Sequence, residues 1–223
     1  MSKTVAVIFD IDGVLVDSYR GVPVFYKEVL PRLIDISEYE ADRLIHMEML
    51  ADATGLLRED WWNKIPYIRP VYDELLTKYW ETRIDHSELE PCTHHVLRIL
   101  RSKGVILGSV SYRDDIIGLK KYRISTFGLS HYFGENILVV GEDVESRYEG
   151  IISLIEKHGV DKAYYIDDKP LSLLKIRRER PNELVLVRYM FRNNSVPGYP
   201  WGHKYCGDYC IYNLCELLKI IEI

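Results

Sequence analysis

The sequence predicts an α/β protein in which short parallel strands alternate with helices and one all-helical segment interrupts the alternation. Three observations point to it. Apolar runs such as Val5-Ala6-Val7-Ile8-Phe9 and Ala163-Tyr164-Tyr165-Ile166 are too short for buried helices and end at acidic residues. From about Pro91 onward, segments with apolar residues at helical spacing separate these runs. Between about Asp17 and Glu90 only helical spacing is found.

In chain order, Val5–Phe9 reads as the first strand. The spacing of Val22, Phe25, Tyr26, Val29, Leu30 and Leu33 predicts a helix over 19–33, with Ser18 as its N-cap. A second helix is expected over 37–53, with Ser37 and Glu40 as a capping box and Gly55 as its end. Glu59-Asp60-Trp61-Trp62 suggests a helical turn, and Pro70 opens a third helix reaching Arg83. The strand–helix rhythm then resumes. Val96, Leu97, Ile99 and Leu100 mark a helix that ends at Gly104. A strand over 104–111, a helix over 113–121 and a strand over 136–140 follow. Glu145-Ser146-Arg147-Tyr148 opens a helix that Gly159 closes. A strand over 163–166, a helix over 171–178 and a strand over 183–188 come next. Residues 189–207 read as a long irregular stretch, and 211–221 as a closing helix.

Composition narrows the class. A chain of 223 residues suits one large domain or a core with an insertion. With 47% hydrophobic and 28% charged residues it has no disorder signature. A net charge of -5 argues against nucleic acid as a partner. No apolar run reaches the ~18 residues of a membrane span, and the N-terminus enters a strand at once with no signal peptide, so a cytoplasmic protein is expected. The chain has no Gln and 17 Tyr, which with its abundant charges points to a thermophile. Cys206, Cys210 and Cys215 cluster after His203. A zinc site of these four matches no familiar spacing, and ordinary thiols are the favoured reading, with a disulfide open in a hyperthermophile.

The chemistry gathers at strand ends. Asp10 and Asp12 follow the first strand in Phe9-Asp10-Ile11-Asp12-Gly13-Val14-Leu15. Carboxylates are costly to bury unpaired, and a bound cation would let both stay ionised. The alternative is a calcium-like or simply solvated acidic loop. Asp-x-Asp-Gly after a hydrophobic strand resembles the first motif of the haloacid dehalogenase superfamily, most of whose members are phosphatases. The resemblance implies a Rossmann-like parallel sheet core with an inserted α-helical cap. The core would comprise 1–17 and 91–223, and the cap 18–90, lying over the active site. It implies Asp10 as nucleophile on phosphorus and Asp12 as general acid and base, with Gly13 letting the backbone approach the phosphoryl group.

Three further stretches extend the resemblance. The strand ending in Ser111 is similar to the second motif, whose hydroxyl binds a phosphoryl oxygen. Ser109 is an alternative, and alternation along the strand together with the resemblance favours Ser111. The Asn that often follows in relatives is Tyr112 here. Arg147 stands nearest to the family's catalytic Lys, which is missing, and can supply charge and a donor fork. Asp167-Asp168, ending the strand Ala163–Ile166, is similar to the acidic fourth motif. The implied cofactor is Mg2+, bound by Asp10 and Asp168 directly and by the Asp12 carbonyl, with Asp167 in support. Lys169 has no fixed role in the family.

The implied activity is a magnesium-dependent phosphatase acting on a small phosphorylated metabolite through an aspartyl-phosphate. Haloacid dehalogenases proper lack the second Asp, so Asp12 points to transfer from a phosphate ester. Two alternatives stay open: a sugar phosphomutase on the same core, and a non-catalytic binding protein retaining the fold. Arg20, His46, Trp61, Trp62, Tyr67 and Arg69 are candidates to meet the substrate. Which metabolite it is, and the oligomeric state, are not encoded in any motif.

Overall fold

The computed structural model describes residues 3–190 and 204–221. The described residues divide into two compact units, one built from residues up to Val16 and from Leu89 onward, the other from Asp17–Glu88. Among the described residues, eight strands are assigned along the chain. They are β1 (Val5–Phe9), β2 (Val16–Asp17), β3 (Glu88–Leu89), β4 (Ile106–Tyr112), β5 (Ile137–Val140), β6 (Lys162–Asp167), β7 (Leu184–Tyr189) and β8 (Tyr209–Ile211). β2 and β3 are two-residue pieces where the chain passes between units.

The other six form one sheet in the order β5-β4-β1-β6-β7-β8, with each neighbouring pair parallel. All five residues of β1 are buried. Val5, Val7 and Phe9 pack into the core on one face, and Ala6 and Ile8 into the core on the other. Burial on both faces explains why the strand reads as a continuous apolar run rather than an alternating one. On the first face the helix Thr93–Ser102 contributes Val96, Leu97 and Leu100. On the second, Arg147–His158 contributes Ile151, Leu154 and Ile155, and Pro170–Arg177 contributes Leu173 and Ile176. Each such side chain, fully buried, is worth about 1.5–3 kcal/mol.

Two expectations for this unit are corrected. Residues 211–221 do not form one helix. β8 pairs with β7 (Val187↔Tyr209, Tyr189↔Ile211), and a 3-10 turn, Leu214–Glu216, precedes the short helix Leu217–Ile220. A three-residue strand is too short to show a period, and here a disulfide ties its middle residue, Cys210, to Cys206 just upstream. That bond also removes Cys206 and Cys210 as metal ligands, while Cys92 and Cys215 are free thiols and His203 lies outside the described residues. So does most of the irregular stretch 189–207. The helix expected over 113–121 instead runs Leu119–Thr126. The Arg113 amide still donates to the Val140 carbonyl at 3.0 Å, prolonging the strand pairing where a helix was expected.

The unit of Asp17–Glu88 is helical, with principal helices Glu38–Thr54 and Tyr72–Asp85. Ser37 caps the first by accepting from the Glu40 amide at 3.2 Å, and Gly55 ends it in left-handed backbone. The Glu40 carboxylate turns instead to Arg43 and Tyr67, so the capping box is half formed. Ser18 is not an N-cap: its hydroxyl accepts from Arg83 Nη2 at 3.0 Å, and the helix begins at Gly21. That helix widens to a π segment over Phe25–Val29 ahead of Pro31, which has no amide hydrogen to donate. A Cβ on Gly21 would lie 2.6 Å from Arg83 Cα, so only glycine allows these two backbones to approach.

The interior of this unit is aromatic and polar together. Phe25 stacks on Trp62 with centroids 5.9 Å apart, and Trp62 Nε1 donates to the Tyr26 hydroxyl at 3.1 Å. The Glu48 carboxylate accepts from Tyr26 and Tyr79, each at 2.9 Å, and pairs with Arg58. Trp62 is therefore part of this interior, and Trp61 is buried beside it, with ring centroids 6.1 Å apart.

Candidate active site

The strand order places β1 at the centre, with β4 and β6 on either side, which is where the connectivity switches direction. In parallel α/β sheets ligands bind outside the carboxyl ends of strands at such a point. Register sets the depth. Phe9 lies opposite Ser109 on one side and Ile166 on the other, and the Asp10 amide donates to the Ile166 carbonyl at 2.8 Å. The side chain of Asp10 therefore emerges level with Asp167.

Asp10, Asp167 and Asp168 are all buried, and one carboxylate oxygen from each lies within 4.8 Å of the others. This is an all-oxygen donor set of the kind a hard divalent cation takes. Arg147, the first residue of the helix Arg147–His158, reaches into the same place. Its Nη2 donates to Asp10 Oδ2 at 2.9 Å, and its Nη1 donates to Asp167 Oδ2 and to the Tyr165 hydroxyl. Tyr165 in turn donates to Asp167 Oδ2 at 2.9 Å, and the Lys169 amide to Asp167 Oδ1 at 2.7 Å. Both oxygens of Asp167 are thus engaged by protein groups.

Burial pushes Asp10 from an ordinary 3.8 up to about 6; Arg147 pulls it down and Asp167 pushes it up. Burial works to lower Arg147, but the fields of Asp10 and Asp167 outweigh it and hold the guanidinium above its usual range. Burial raises the Tyr165 hydroxyl as well, so it acts as a donor to Asp167.

Ser111 and Ser109 lie two apart on β4 and so share a face, which means alternation does not separate them; their depth does. Ser109 is level with Phe9, and Ser111 lies beyond the end of β1. Both hydroxyls are buried without a hydrogen-bond partner. Burying an unsatisfied hydroxyl is unfavourable, and a ligand oxygen at the sheet edge would relieve it for Ser111. Tyr112, the departure from the family pattern, has its ring 4.8 Å from the Arg147 guanidinium carbon. Tyr112 and Arg147, the two positions where the resemblance expects Asn and Lys, are therefore in contact.

The loop after Asp10 is tight. Gly13 has φ +80° and its amide donates to the Val16 carbonyl at 2.8 Å, while the Ile11 carbonyl accepts from Leu15 and Val16. A side chain at position 13 would be strained. Asp12, which this loop presents, does not join the three-carboxylate cluster. It pairs with Lys120 and Arg123 from the helix Leu119–Thr126. Sequence reasoning missed Lys120, Arg123, Asp114 and Tyr165. The one local signal for the first two was their three-residue spacing, which puts them on one face of a helix.

Fold and site together define a class: an α/β enzyme working with strand-end carboxylates. Residues 7–173 match the haloacid dehalogenase-like hydrolase family. The chain belongs to that family, and is an enzyme of the hydrolase class. No curated protein sequence matches it. Among solved structures it is similar to a HAD phosphatase from Thermococcus onnurineus, with 25% identity, TM-score 0.60 and coverage of 98% of this chain and 97% of the other. A predicted phosphoglycolate phosphatase from Haemophilus somnus shares the fold with 18% identity, TM-score 0.65 and complete coverage of both chains, 100% and 100%. A HAD-superfamily hydrolase, subfamily IA, from Geobacter sulfurreducens does so with 18% identity, TM-score 0.65 and coverage of 98% and 97%. No helix among the described residues is long and apolar enough to cross a membrane.

Proposed function

We propose that the protein is a magnesium-dependent phosphatase of a small phosphomonoester, working through an aspartyl-phosphate on Asp10. The observation that carries the reading is the convergence of Asp10, Asp167 and Asp168 within 4.8 Å at the sheet edge of a haloacid dehalogenase-like chain. In the first step an Asp10 oxygen bonds to phosphorus, the ester P–O bond breaks, and Asp12 gives its proton to the departing oxygen. In the second, water attacks the same phosphorus, Asp12 takes a proton from it, and the Asp10–P bond breaks to release phosphate. Ser111 offers a hydrogen bond to a phosphoryl oxygen, and Gly13 lets the loop backbone come close. Arg147 offsets charge beside the nucleophile.

Magnesium would be held by Asp10 and Asp168, with the Asp12 carbonyl, and would screen the repulsion between carboxylate and phosphate. Asp167, already held by Arg147, Tyr165 and Lys169, would support this set rather than lead it. The unit of Asp17–Glu88 is assigned the role of substrate-selecting cap. Heat adaptation is part of the same reading: the chain lacks Gln and carries a disulfide, and a melting midpoint above the mesophile range of about 45–65 °C is expected.

The test is a screen of phosphorylated metabolites for phosphate release, with magnesium and with chelator, followed by trapping of the covalent intermediate. Phosphate on Asp10 is the expected result. Hydrolysis that persists in Asp10→Asn, or label on another residue, overturns the assignment.

A further inference from the structure

Asp12 is held in a buried cluster of two cations and two anions that the proposed reaction does not by itself require. Lys120 and Arg123 project from one face of the helix Leu119–Thr126 and are 4% and 1% exposed. Lys120 Nζ donates to Asp12 Oδ2, and also bonds Asp114 Oδ1 at 2.8 Å. Arg123 Nη2 donates to Asp12 Oδ1. Arg123 Nη1 donates to Asp12 Oδ2 at 3.3 Å and to both oxygens of Asp114, at 3.1 and 3.0 Å. Both oxygens of Asp12 are therefore gripped, and the two cations that grip them are anchored from behind by Asp114, itself 4% exposed.

We propose that Lys120 and Arg123 are positioning residues that aim the Asp12 carboxyl at the reacting phosphoryl group. The inference rests on the reading of Asp12 as proton donor and acceptor in that reaction. Two observations favour aiming over a purely structural role. Asp12 sits in a seven-residue loop, Asp10–Val16, whose backbone is held by the bonds of Ile11 and Gly13, while its two side-chain oxygens accept from Lys120 and Arg123. The helix that supplies those two donors is more than a hundred residues away in sequence, so the contact is a property of the assembled sheet edge. Burying two full cations is costly, and they are better spent on a group whose orientation matters than on solubility or helix stability.

The role has a kinetic signature. A 4-nitrophenolate leaving group needs no proton, whereas an alkoxide does. Hydrolysis of the Asp10 phosphoryl intermediate needs Asp12 as base for every substrate. Misaimed Asp12 should therefore spare formation of the intermediate from 4-nitrophenyl phosphate and slow its breakdown. Lys120 grips Asp12 and Asp114, whereas the cation on Asp10 is Arg147. Attack by Asp10 should then survive loss of Lys120.

The experiment compares wild type, Lys120→Met, Lys120→Arg and Arg123→Lys by rapid mixing with 4-nitrophenyl phosphate and magnesium, alongside an alkyl phosphomonoester. For Lys120→Met the expected result is a burst of one nitrophenolate per site at near wild-type rate, then a steady rate lowered about 10²-fold, with alkyl turnover lowered at least as much. Lys120→Arg should restore most of the steady rate. Should Lys120→Met fail to fold, Arg123→Lys keeps charge and bulk while withdrawing the Nη2 grip, and should show the same split at about tenfold. Burst and steady rate falling together, or neither falling, overturns the proposal. If wild type itself hydrolyses no phosphomonoester, the phosphatase reading fails first and the positioning role goes with it; an active wild type with indifferent variants sinks only the positioning role.

Discussion

Asp10 and Asp12 are two residues apart in one loop, and their surroundings are electrically opposite. Asp10 has two further carboxylates beside it, Asp167 and Asp168, and meets one guanidinium, Arg147. Asp12 meets an ammonium and a guanidinium, backed by Asp114. The first environment leaves a carboxyl whose ionised form burial disfavours, raised to about 6. The second holds the Asp12 side chain in a fixed direction. Identical side chains can take different parts in one reaction when their environments differ this way.

The largest expected effect breaks the comparison at Asp10. Asp10→Asn should lower turnover to background, at least about 10³-fold, because no covalent intermediate can form. Asp12→Asn should cost about 10²–10⁴-fold and leave the nitrophenolate burst. Rapid-mixing kinetics on the two proteins checks both, and equal loss of the burst in each would erase the distinction between them.

Charge on the Asp10 side gives the next. A divalent cation bound there stabilises the fold as RT ln(1 + [L]/Kd), about 2.7 kcal/mol at one hundred times Kd. Melting temperature should rise with magnesium in wild type, respond little in Asp168→Ala, and keep more of its response in Asp167→Ala. A full response in Asp168→Ala with none in Asp167→Ala would reverse the proposed ligand order.

The pH response sharpens the contrast without metal. Asp10 titrates at about 6 in the fold against 3.8 ordinarily, so between those values the native state holds the proton more firmly than the unfolded state. Stability contributed by this group therefore falls as pH rises from about 4 to about 6, by up to roughly 3 kcal/mol, and stays lost above. In chelator, Asp10→Asn should lack that component and melt above wild type at pH 7 while matching it near pH 4. Parallel pH–melting curves for the two would refute this.

The smallest effect concerns the pair of departures from the family pattern. Tyr112→Ala should cost about 0.5–1 kcal/mol through loss of the ring beside Arg147. In a double-mutant cycle with Arg147→Lys, a coupling of that size is expected; a coupling indistinguishable from zero would make the contact incidental.

Much of this was legible beforehand where the signal is local. The apolar run before Asp10, the strand ahead of Asp167-Asp168, and the start of the helix carrying Arg147 within Glu145–Tyr148 are all encoded by neighbours in the chain. Ser18 was misread because a capping residue and a hydroxyl accepting from a distant arginine look alike in sequence. β8 was missed because three residues show no period. Tyr112 looked like a lost contact, and its actual partner, Arg147, could not be seen from either position.

The sequence by itself determined which residues end the strands, that the alternation is of the parallel α/β kind, and where the helical segment interrupts it. These follow from side-chain periods of two and 3.6 and from the cost of burying charge, which act within a few residues. Only the tertiary structure decided who meets whom. Arg147 reaches Asp10 across 137 positions, and Lys120 reaches Asp12 across 108. Those separations are closed by crossover connections that bring every strand's carboxyl end to the same edge, and no local period in the chain specifies which cation a carboxylate will find there.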